Sequence, residues 1–246
     1  IIKDFKALII PYFLWNSITI LCILFFQKEN IHLYQNIISI YGNFPVARPS
    51  WFLLTLFLAK TIIHLFSLHK THNNIIFVVI ISILLLINLI FIFDFYSIKY
   101  SIFMRTIICI PFILSGIYFK RVHSIMNFNY KSYYVLILIP LFILIVLLNR
   151  WPNMFLCSVG NSIILFFIEG ILGTFILYII CRRISYTPSY IVTISNGTLL
   201  ILCFHRFFIC DPYIKYIYPH ISNVPSIFSS IFVSIISLII CYALIN

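Results

Sequence analysis

Apolar residues are gathered into long runs separated by short polar stretches, and the runs fall at roughly 8–26, 51–68, 75–93, 101–119, 133–148, 162–181, 191–209 and 227–245. Each is close to the ~17–25 residues that a helix needs to cross the hydrocarbon of a bilayer. A backbone in that medium must satisfy its hydrogen bonds within its own segment, and the runs lack the alternation of a barrel strand, so helices are predicted for all eight. The predicted fold class is therefore all-α, a polytopic transmembrane helix bundle with about eight spans, forming a single domain over 1–246.

Composition points to the same solvent. With 63% hydrophobic residues, 9% charged residues and a mean hydropathy of +1.14, a water-soluble fold of this length could not hide its apolar side chains. The excess of 16 Lys and Arg over 5 Asp and Glu reads as loops facing an anionic membrane leaflet, not as a nucleic-acid surface. The seven cysteines contain no CxxC pair, and no metal site is expected. Ile1 stands where a start methionine would, and "IIKDFKALIIPYF" resembles a loop entering a helix more than a signal peptide, so a piece of a longer protein is expected.

Basic residues set the orientation. With a cytoplasmic amino terminus, that side carries Lys3, Lys6, Lys70, Lys120, Arg121, Lys131, Arg182 and Arg183, against Lys28, Arg48, Lys99, Arg150 and Lys215 outside. Both ends of the chain are then expected in the cytoplasm. On a rise of about 1.5 Å per residue, Arg105 lies roughly 6 Å from the outer end of the fourth span and Glu169 roughly 10 Å into the sixth. His205 and Arg206 fall near the outer end of the seventh. Residues of this kind usually face a bundle interior or water, which predicts a shared polar cavity in the outer half; headgroup snorkelling is the alternative for Arg105 and Arg206. Glu169 is the one acidic residue in the middle of a span, and a cationic partner is expected for it, Arg105 first and Arg206 second. Lys60 and His64 share a face of the second span, where Lys60 is expected to line an interior polar path and His64 to snorkel inward.

Four segments in order suggest a chemistry: "LIIPYFLW" at 8–15, "PSWFLLTLFLAK" at 49–60, "PFILSGIYFKR" at 111–121 and "NGTLLILCFH" at 196–205. Together they resemble the membrane acyltransferase 3 family, especially its fucose 4-O-acetylase-like branch. The resemblance implies an integral membrane O-acetyltransferase of a bacterial inner membrane. Such an enzyme moves acetyl from cytoplasmic acetyl-CoA to a hydroxyl of a surface or lipid-linked sugar, as in polysaccharide biosynthesis. It also implies that the family's first two helices, with the arginine and histidine of its most telling motif, precede Ile1. The eight spans here would then belong to ten, and this segment alone would be inactive.

Acyl transfer from a thioester to an alcohol needs a base near the hydroxyl, donors for the developing oxyanion and cations for the CoA phosphates. His205, which ends a family-like pattern, and Glu169 are the catalytic candidates, with a structural hydrogen bond the other reading of His205. Arg105, Lys60 and Arg206 are candidates for binding substrate. Lys120, Arg121, Arg182 and Arg183 are candidates for CoA, and are equally what the positive-inside rule demands. The expected partners are acyl-CoA, a glycan or lipid-linked sugar acceptor and membrane lipid, with no nucleic acid. Polar residues at mixed depths also suit a non-enzymatic carrier or flippase of lipid-linked glycans, and an inactive remnant is a third reading.

Overall fold

A computed structural model of the chain describes residues 1–26, 50–92, 102–126, 133–150, 152–184, 186–198, 201, 209 and 226–245. Among the described residues the secondary structure is helical, with a single isolated bridge between Asn153 and Ser158. A short turn at Ile2–Asp4 and a π-helical segment at Phe5–Ile9 lead into α1, Ile10–Phe26. There follow α2 (Trp51–Leu65), α3 (Asn73–Ile92), α4 (Ile102–Met126), α5 (Tyr133–Asn149), α6 (Ile163–Cys181), α7 (Ser189–Asn196) and α8 (Ser226–Ile245).

The helices lie where the apolar runs predict them, with two differences. The fourth run was expected to end at 119 and give way to a loop, whereas α4 continues to Met126 and carries Lys120 and Arg121 on its last turns. Helical hydrogen bonding does not stop where hydrophobicity does. The seventh expected span, 191–209, is described as the eight-residue α7, and most of its remainder lies outside the described residues. Among the described residues, Ile102–Val122 and Ile163–Cys181 are long and apolar enough to cross a membrane.

The chain divides into two compact units. The first joins Ile1–Leu8 to Leu53–Ser185. Its core has two clusters. One sets Ile87 of α3 with Met104, Ile107 and Ile108 of α4, Phe167 of α6, and Cys157 and Val159 of the segment between α5 and α6. The other sets Ala59 and Ile63 of α2 with Ile76 of α3 and Cys109, Ile110 and Leu114 of α4.

Helix α6 approaches its neighbours closely because of two glycines. A Cβ at Gly170 would stand 2.5 Å from the Phe112 ring of α4, and one at Gly173 would stand 3.1 Å from the Phe142 ring of α5. Small residues at such contacts let helices gain van der Waals packing where no water is displaced.

The second unit joins Ile9–Phe52 to Tyr186–Asn246. Within it α7 packs on α8, and the buried Asn16 of α1 donates through Nδ2 to the Tyr12 carbonyl at 2.8 Å and to Ser50 Oγ at 2.9 Å. Each buried amide hydrogen thereby finds an acceptor, as a polar group removed from water requires.

Candidate functional site

The densest polar construction in the first unit is the segment between α5 and α6, residues 150–162, which turns back into the core instead of looping away from it. Asn149, fully buried at the end of α5, anchors it. Its Nδ2 donates to the Val159 carbonyl at 3.1 Å and to Glu169 Oε2 at 3.3 Å, and its Oδ1 accepts from the Ser162 N–H at 3.0 Å. Its own carbonyl accepts from the Asn161 N–H at 3.0 Å, and the Asn161 side chain donates to the Leu148 carbonyl at 2.7 Å. Asn153 closes a smaller turn inside, exchanging backbone hydrogen bonds with Ser158 at 2.7 and 2.9 Å and accepting the Leu156 N–H on its side chain.

Three residues of this segment have positive φ: Arg150 at 63°, Cys157 at 50° and Gly160 at 79°. For the two that carry a side chain this conformation is costly, and surroundings that hold such residues in place are often those of functional sites.

The end of α5 and the turn after it bring a neighbour to two of the ionisable residues singled out in the sequence, Glu169 and Arg105. Arg105, on the first turn of α4, is fully buried, with Cys157 beside its guanidinium. Burial pushes the Cys157 thiol up from its ordinary value, and the neighbouring Arg105 opposes that rise. Glu169, half-buried on the second turn of α6, accepts from Asn149.

The ion pair expected between Glu169 and Arg105 is not formed. Asn149 at the end of α5 contacts Glu169, Cys157 of the following segment lies beside Arg105, and among the described residues Glu169 makes no ion pair. Arg206, the second expected partner, and His205, the expected catalytic residue, both lie outside the described residues. The sequence reading missed Asn149, Cys157 and Gly160. The one signal pointing to them was the density of turn-forming residues in "NRWPNMFLCSVGNS".

A second polar site lies farther along α4 in the same unit. Lys60 pairs with Asp4 Oδ1 at 2.7 Å, where an interior polar path was expected to receive it. The contact exists because the Phe5 ring meets the Phe57 ring edge-on at 6.0 Å, which docks the amino-terminal turn on the face of α2 that carries Lys60 and His64. A cavity of about 330 Å³ opens there, lined by Asp4, Lys60, Thr61, His64 and His69 together with apolar residues that include Ile113 and Ile117. The His64 and His69 rings stack at 5.8 Å.

Arg121, one of the residues expected to bind CoA, is built into this end of the unit. Its guanidinium donates to the carbonyls of His69 and Thr71 and, at 3.5 Å, to Asn73 Oδ1, holding the turn between α2 and α3. Lys120, Arg182 and Arg183 are exposed, and the Arg182 guanidinium lies 5.8 Å from the centre of the Tyr178 ring.

The hydrogen bond from Lys60 holds the Asp4 carboxyl below its ordinary value of 3.8, against an opposing contribution from burial. A carboxylate whose value is depressed in the fold contributes stability that is fully present above 3.8 and lost as pH falls through the lower folded value. Thermal melts should therefore show wild type above Asp4→Asn at neutral pH, with the gap closing only in acid below 3.8. Both side chains are more than a third exposed, so the gap should be small and should shrink with salt. A gap that widens in acid would refute the pairing.

Compared with family models, with curated proteins and with solved structures, the chain matches none, so a functional reading rests on its own motifs and on the chemistry of these two sites.

Proposed function

We propose that this chain is a membrane-embedded segment of an O-acyltransferase that moves an acetyl group from acetyl-CoA to a sugar hydroxyl. The membrane part is supported by where the apolar side chains point. On α5, Leu136, Ile137, Ile139, Leu141, Ile143, Leu144 and Leu147 are all exposed, and on α8 so are Ile231, Phe232, Ile235, Leu238 and Ile239. A helix that is apolar all round and uncovered is at home in hydrocarbon, not in water.

The transferase reading is supported by one observation, the Glu169 carboxylate of α6 accepting from the buried Asn149 at the end of α5, with Arg105 buried elsewhere in the same unit. In acetyl transfer a base takes the proton of the acceptor hydroxyl as its oxygen attacks the thioester carbonyl. The negative charge then gathers on the carbonyl oxygen, and the C–S bond breaks to release CoA. In this reading Glu169 is the base, its carboxylate hydrogen-bonded by Asn149. In this reading Arg105, a cation buried in the same unit, is the candidate to stabilise the developing negative charge. His205 remains a second candidate base on the strength of its motif. The exposed basic groups on the last turns of α4 and just beyond α6, Lys120 and Arg183 among them, suit the phosphates of CoA.

Membranes containing the natural protein should transfer radiolabelled acetyl from acetyl-CoA to a lipid-linked glycan. Failure across a panel of native acceptors, with the protein inserted and intact, would overturn the transferase reading and favour a carrier.

A further inference from the structure

The cavity beside Lys60 offers more hydrogen-bond donors than its own groups consume. Asp4 accepts from Lys60 Nζ at 2.7 Å and lies 3.8 Å from the Ile1 amino group, so its charge is answered within the site. The Thr61 hydroxyl donates to the Phe57 carbonyl at 2.9 Å and has no hydrogen left to give. Donor capacity remains on Lys60, whose ammonium carries three hydrogens, and on the imidazoles of His64 and His69. Among the described residues the ring nitrogens of these two histidines make no hydrogen bond; the rings lie parallel to within 6°, with centres 5.8 Å apart. His69 is held in place by its backbone, because Arg121 of α4 donates to its carbonyl.

The rest of the lining is apolar: Ile1, Ile63, Ile113 and Ile117. Ile63 belongs to the buried core, and Ile113 and Ile117 of α4 pack against the same cluster. Such walls offer nothing to a fully hydrated ion, whereas an apolar body laid on them leaves water. Lys60 and His64 are exposed, so the polar side can be reached from outside. A volume of about 330 Å³ is at the low end for sites of small organic ligands. Since a cavity of ~150 Å³ already takes up benzene, there is room for one ring with a short acid arm.

We propose that this cavity binds a compact monocarboxylate, its acid group held by Lys60, His64 and His69 and its apolar body laid against Ile63, Ile113 and Ile117. The inference rests on neither the membrane reading nor acetyl transfer, and its test uses no acetyl-CoA. The intact protein in mild detergent, carrying isotope-labelled histidine, is titrated with phenylbutyrate, with phenylbutyramide and with inorganic phosphate. Melting temperature and the imidazole signals are followed. Phenylbutyrate should raise the melting temperature saturably and should shift the signals that His64→Phe and His69→Phe remove. The amide has the same body without the charge and should bind roughly 10-fold more weakly or worse, the worth of a hydrogen bond to a charged group. Phosphate has charge without the body and should give no saturable shift. Lys60→Gln, which keeps a donor for Asp4, should weaken phenylbutyrate binding by a similar factor. His64→Phe, which keeps a ring beside His69 but removes the nitrogens, should weaken it too. Both positions are exposed, and both variants should melt near wild type without ligand. Equal affinity for acid and amide, phosphate binding as tightly as phenylbutyrate, or an undiminished response in Lys60→Gln would overturn the proposal. Any of these would leave the transferase reading standing, because that reading is judged by acetyl transfer and by Glu169.

Discussion

Gly160→Ala should be among the most destabilising single-methyl substitutions in the first unit. Gly160 has φ +79°, and a Cβ there would stand 2.1 Å from the Asn149 carbonyl oxygen and 2.7 Å from Asn149 Oδ1. Neither atom can retreat cheaply. The carbonyl belongs to the end of α5 and accepts the Asn161 N–H, while the side-chain oxygen accepts the Ser162 N–H that opens α6. The left-handed conformation costs an alanine about 1–2 kcal/mol, and forced overpacking typically adds about 1–3 kcal/mol, so a loss on the order of 2–5 kcal/mol is expected. Gly116→Ala is the control: in mid-helix, with open space for the methyl, it should be neutral or stabilising by up to about 1 kcal/mol. Melting curves of the two variants in detergent decide the matter, and a Gly160→Ala protein that melts with wild type would show that the α5–α6 turn is not built on Asn149.

The second large effect is on activity. Glu169→Gln keeps a carbonyl oxygen where Asn149 Nδ2 donates, so the hydrogen bond at 3.3 Å and the shape of the side chain survive while the ability to take a proton is lost. If Glu169 is the base in the proposed transfer, acetylation by the natural protein should fall by roughly 10²–10⁴-fold, the usual contribution of a positioned general base. Insertion and melting temperature should stay near wild type. Glu29→Gln, at a carboxylate outside the expected spans, should change the rate little. Retained activity in Glu169→Gln, with His205→Gln inactive, would move the base to the seventh expected span.

Helix positions were legible from hydrophobicity because the solvent leaves a chain of this composition few choices. Long apolar stretches such as 163–181 satisfy their backbone only by coiling, and α6 begins and ends within a residue of the predicted run. Helix ends were less legible. Lys120 and Arg121 continue α4 instead of starting a loop, because charged side chains do not interrupt backbone hydrogen bonding once a helix passes beyond its apolar part. Arg105 and Glu169 stood out as residues in need of partners, but they do not pair with each other. Depth along separate helices places charges at similar heights but does not say what lies between them. Here Glu169 is met by Asn149 at the end of α5, and Cys157 of the following segment lies beside Arg105.

The sequence by itself determined that the chain is helical, how many apolar stretches it has, and that a few polar residues are set among them. Those properties follow from side-chain hydrophobicity and backbone hydrogen bonding within single segments. Tertiary structure alone decided that Asn149 ties α5 to α6, that Lys60 answers Asp4 and that Arg121 clamps the α2–α3 turn. Each of these contacts joins residues ten to fifty-six positions apart, and their geometry exists only once the helices have packed, with Gly160 and Gly170 permitting approaches that no periodicity in the sequence records.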